Sequence, residues 1–202
     1  MRGVVLATLL SLMAASPAAA DPATLTEGQV LRGRFVQERH LQGFSQPLRS
    51  EGDFVLVPGK GLIWRAEIPF PVTTVVTPAG LVQSVAGQET TRLPAARLPF
   101  LSRLYAMMGG AMAGDWSALD GEFTVARRQD GKTLRVTLSP RRNGDPAAAA
   151  LKEIDAQVGR FVEAVDLVKP GGDFDHLVFS GQALTTGAPT DAEAAALAAA
   201  GK

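Results

Sequence analysis

The chain has 202 residues, of which 46% are hydrophobic, with 20 Lys and Arg against 20 Asp and Glu, and no cysteine. The balanced charge gives no electrostatic basis for binding nucleic acid. The lack of cysteine excludes disulfides and thiol chemistry, and with them N-terminal lipidation of the chain itself.

Met1-Arg2 is followed by an apolar run from Gly3 to Met13 and then by Ala14-Ala15-Ser16-Pro17-Ala18-Ala19-Ala20-Asp21. A basic start, a short apolar core and an Ala-x-Ala ending predict a secretory signal peptide cleaved after Ala20. The run is too short for a hydrocarbon layer of about 30 Å, which takes roughly 20 apolar residues to cross. The chain therefore divides into a leader at 1–20, a single domain at 21–182 and an Ala-rich, mobile tail at 183–202. Export into the periplasm is expected. Residues 21–30 predict a short helix, capped by Thr24 or Thr26.

Strands are predicted at 33–41, 48–57, 62–67, 72–77 and 81–85. Pro58-Gly59-Lys60-Gly61, Pro69-Phe70-Pro71 and Pro78-Ala79-Gly80 supply turns between them. In the second strand Leu48, Ser50, Gly52, Phe54 and Leu56 share one face, and Arg49, Glu51 and Asp53 lie opposite. That alternation suits a sheet wet on one side. After Pro94 the period changes. Leu98, Phe100, Leu101, Leu104, Tyr105, Met107, Met108 and Met112 recur at spacings of three and four and predict a helix with Pro99 in its first turn. Gly109-Gly110 weakens its end.

Strands return at 121–128 and 132–139, joined by an Asp130-Gly131 hairpin signal. A helical turn is predicted at 145–150, a hairpin of 151–158 and 161–168 about Gly159-Arg160, and a last strand at 173–180. Thr190 or Asp191 caps a final short helix that has few large apolar groups to dock it, so fraying is expected. Ten or eleven strands in hairpin order predict a mainly β fold with a few helices: one large antiparallel sheet that curls, with the 98–112 helix over its concave face.

Catalytic patterns are missing. The two histidines, His40 and His176, have no His-Glu-x-x-His spacing, so no metal site is expected. Ser180 lacks the Gly-x-Ser-x-Gly elbow of a hydrolase, and Gly171-Gly172 fits no phosphate loop. Neither an enzymatic activity nor a cofactor is expected.

Phe35 with Gln37, Gly52, Leu62 with Trp64, Pro69, and Gly80-Leu81 occur in the order that resembles the LolA-like periplasmic lipoprotein carriers. The motif likeness runs from Gly33 to Leu81, and the order of elements extends it to Phe179. The resemblance implies an unclosed antiparallel half-barrel under a helical lid, whose apolar interior holds acyl chains. It implies a monomeric carrier in a Gram-negative periplasm that takes acylated lipoprotein or lipid cargo from an inner-membrane transporter and passes it to an outer-membrane receptor. On this reading Phe35, Phe54, Leu56, Leu62, Trp64, Val76 and Leu81 form the cavity wall. Leu101, Leu104, Met107 and Met108 form the lid face, where Met is suitably deformable. The residues alone fit a packed core equally well. Two features depart from the family: Pro58-Gly59-Lys60-Gly61 stands where members often carry an Arg-Pro pair, whose Arg helps hold the lid, and the first helix is short. Lys60 matches that Arg in charge but not in bidentate geometry. A glycolipid or other long-chain lipid is thus an alternative cargo, and a sensor of lipid or outer-membrane protein is an alternative function.

Overall fold

A computed structural model describes residues 25–97, 121, 123–141 and 151–201. They form eleven strands: β1 (Gln29–His40), β2 (Leu48–Val57), β3 (Gly61–Ile68), β4 (Val72–Thr77), β5 (Gly80–Val85), β6 (Gln88–Pro94), β7 (Phe123–Asp130), β8 (Thr133–Pro140), β9 (Glu153–Val158), β10 (Val162–Val168) and β11 (Phe174–Thr186). One helix, α1 (Asp191–Ala200), follows. All strands join one sheet in the order β6-β5-β4-β3-β2-β1-β11-β10-β9-β8-β7. Its neighbours pair antiparallel, as the hairpin order predicts. The β1–β11 pairing joins the two halves at the centre. β6 and β7 remain as separate edges, so the sheet is not closed into a barrel.

Three expectations need correction. The described part of the predicted first helix, 25–30, is a turn closed by Gln29 N–H donating to the Thr26 carbonyl at 3.2 Å, and it leads directly into β1. β6 was not foreseen, because Gln-Glu-Thr-Thr-Arg-Leu-Pro has few apolar residues and lies mostly exposed at an edge. The boundary at 182 falls inside β11, which runs to Thr186, and the remainder of the tail docks as α1. The predicted 98–112 helix and the 145–150 turn lie outside the described residues.

Why the tail docks is visible in its chemistry. Thr190 Oγ1 accepts from Glu193 N–H at 3.3 Å while Glu193 Oε2 accepts from Thr190 N–H at 2.8 Å, a reciprocal capping box. Leu197 and Ala200 then pack on Val30, Val55, Val57, Ile63, Val75 and Val82. Leu197 and Ala200, with Ala196 half-buried beside them, thus supply the apolar docking of a helix made of Ala apart from Asp191, Glu193 and Leu197. This cover explains the unbroken Phe54-Val55-Leu56-Val57 run in β2, which is buried on both faces.

Candidate functional site

Register places the candidate wall residues on the face opposite α1. Leu31, Leu56, Leu62, Val76 and Leu81 form one row across β1 to β5. A second row carries the aromatics. Phe35 stacks on Trp64 with ring centroids 3.7 Å apart, and Phe179 meets Phe54 and Trp64 edge-on at 5.5 and 6.1 Å. Two glycines set this row. Gly33 lies opposite Phe54, and a Cβ there would come 2.6 Å from the Phe54 ring. Gly52 lies opposite Phe35, at the β2–β3 bulge.

The structure therefore brings Phe35, Phe54, Leu56, Leu62, Trp64, Val76 and Leu81 onto one face. Trp64 and Leu81 remain half-buried and the others are buried. Leu101, Leu104, Met107 and Met108 lie outside the described residues. Sequence reasoning missed Leu31, Phe161, Phe179 and Leu184, which join the same cluster. It also missed the other half of the face. Through β11 and β10 it continues as Phe179, Leu177 and Val165. On β9 to β7 it comprises Ile154, Ala156, Val158, Val136, Leu138 and Phe123. The period-two pattern of Ile154, Ala156 and Val158 was the available signal.

Charge closes one end of this face. Asp175 Oδ1 accepts from Arg39 Nε at 2.6 Å and from Gln37 Nε2 at 3.2 Å, and Oδ2 accepts from Lys169 Nζ at 2.7 Å. Burial pushes the Asp175 carboxyl up, but these donors outweigh it and hold it below its ordinary value. The opposite face carries cross-strand polar pairs instead: Arg34 with Glu67, Arg65 with Asp53, His176 with Asp166, and Thr137 with Asp155.

Phe44, Leu48, Ile68 and Phe70 are exposed, Phe44 at 65% and Phe70 at 61%. All four lie at the end of the sheet where β1 meets β2 and β3 meets β4. Lys60 lies instead in the β2–β3 turn and borders a cavity of about 390 Å³ between α1 and the Pro78-Ala79 turn, on the helix-covered side of the sheet. Among the described residues no helix is long and apolar enough to cross a membrane. Nor do any three His, Asp or Glu among them gather into a set able to hold a metal.

The model of a protein family described as outer membrane lipoprotein carrier protein LolA-like matches residues 14–201. No protein of curated function matches the chain. Similar solved structures include a chain of the Pseudomonas aeruginosa MucA/MucB complex, with 12% identity and a TM-score of 0.46. That match covers 81% of this chain and 54% of the other, so the chain spans about half of that neighbour's length. The LolA superfamily protein NE2245 from Nitrosomonas europaea is similar with 6% identity over 84% of this chain and 91% of that one, at a TM-score of 0.38. LprF from Mycobacterium bovis is similar with 11% identity over 80% and 87%, at a TM-score of 0.37.

Proposed function

The chain belongs to the LolA-like family of outer-membrane lipoprotein carrier proteins, and on that premise we propose that it is a soluble periplasmic chaperone for acylated cargo. It shelters the acyl chains of lipoproteins and carries them from the inner towards the outer membrane. The supporting observation is the apolar face that continues from β5 through the central β1–β11 pair to β7, in a sheet whose edges stay apart. Each acyl CH₂ exposed to water costs about 0.8 kcal/mol. Two or three chains of about sixteen carbons therefore cost tens of kcal/mol bare, and a sheath is needed to cross an aqueous gap. The protein acts by burial and release, without catalysing a reaction. The leader at 1–20 directs export. An inner-membrane transporter donates the cargo and an outer-membrane receptor accepts it.

A fluorescent acyl probe titrated into the mature protein tests this reading. Wild type should bind it saturably, and Trp64→Ala should weaken binding about tenfold. Absence of saturable uptake by the wild type would overturn the proposal.

A further inference from the structure

A polar side chain, Gln182, lies within the apolar face, which on β4 and β5 also carries the mutually hydrogen-bonded Thr74 and Gln83. The β1–β11 ladder slips between Arg32 and Arg34, and Gly181 takes up the slack with a left-handed φ of +59°. The slip puts Gln182 on the same face as Phe179 and Leu184. A Cβ on Gly33 would lie 3.0 Å from Gln182 Cγ and 2.6 Å from the Phe54 ring, so Gln182 borders the aromatic row. Nearby, the β10–β11 ladder has ended at Ala164 and Val178. The Gln182 amide reaches across that gap, and its Nε2 donates to the Val162 carbonyl at 2.8 Å.

This bond fixes the amide's orientation. A carbonyl accepts only, so the nitrogen end must face Val162 and the oxygen end must face away. Gln182 Oε1 is buried, and among the described residues no protein donor meets it. A buried acceptor left without a donor is costly and uncommon in native proteins. In apolar surroundings a hydrogen bond to it is correspondingly strong.

We propose that Gln182 Oε1 accepts a hydrogen bond from an N–H or O–H at the root of the bound acyl chain. The site then favours acylamides or hydroxylated lipids over plain esters of the same length. This rests on the carrier reading and specifies its substrate. The preference has a definite sign: desolvating an amide or hydroxyl works against binding, so only an acceptor within the site reverses the order.

The test uses three probes of equal chain length, displacing a fluorescent acyl probe from the mature full-length protein. Methyl oleate has no donor, N-methyl oleamide has an N–H, and oleyl alcohol has an O–H. In the wild type at least one donor-bearing probe should bind about tenfold tighter than the ester, and which one does identifies the source of the donor. Gln182→Met should keep ester binding and lose the preference. Ester binding without any preference in the wild type would overturn the inference while leaving carriage intact. A preference that survives Gln182→Met would also overturn it. Failure of all three probes to bind would overturn carriage and the inference together. Should the variant not fold, the wild-type series still decides.

Discussion

A Cβ added at Gly52 would lie 1.8 Å from the Arg65 carbonyl oxygen, a backbone atom that no rotamer change can move aside. Gly52→Ala should therefore break the β2–β3 bulge and cost about 3 kcal/mol or more, read from urea unfolding. Phe54 is 2% exposed and fills the space left open at Gly33. Truncating it should cost about 3–5 kcal/mol. Trp64, half-buried beside it, should lose less stability and more probe binding. Equal stability losses for Phe54→Ala and Trp64→Ala would contradict that division. At this scale the sequence was a partial guide. Alternation in 48–57 puts Phe54 and Leu56 on one face, and register confirms it. Phe179 was not singled out because its neighbours, Ser180-Gly181, read as an ordinary strand end. Its place opposite Phe35 comes from a pairing with a strand more than a hundred residues earlier in the chain. Such long-range pairing leaves no local pattern.

Among the elements, α1 shows how local composition misleads. An Ala-rich segment has few apolar side chains to bury, which predicts fraying. The cap and one ion pair decide otherwise. Arg32 Nε and Nη2 donate to the two Glu193 oxygens at 2.8 and 2.6 Å, tying the first turn of the helix to β1. These bonds, with those from Thr190, hold the Glu193 carboxyl at about 2. An unfolded Glu titrates near 4.5, so the folded state binds fewer protons between these values. The contribution is complete above about 4.5 and is lost as pH falls towards 2. Glu193→Gln should flatten that part of the stability–pH curve relative to wild type. Glu193→Ala should cost about 2–3 kcal/mol at neutral pH through the lost cap and charged hydrogen bonds. A circular dichroism melt across pH 2–7 checks both, and an unchanged acid slope in the Gln variant would contradict the pairing. β6 was missed for the reverse reason: a polar edge strand is held by its ladder to β5, and its own sequence carries no alternation that reveals it.

The whole molecule depends on both faces of one sheet being used differently. Beneath α1 a patch of Val and Ile is covered. On the other side an apolar surface extends across both halves of the sheet, with charge at the Asp175 end and Gln182 within it. The sequence announces the strand count through its Gly and Pro turns. The joining of the two halves through β1 and β11 is set instead by which strands meet across the fold. On the function proposed above, this surface sheathes acyl chains. Native mass spectrometry of the protein purified from periplasm, before and after organic extraction, decides whether it does. The expected result is an extractable adduct with the mass spacing of an acyl series, whose headgroup distinguishes a lipoprotein from a glycolipid. A single mass equal to that of residues 21–202, unchanged by extraction or by an added acylated probe, would contradict it.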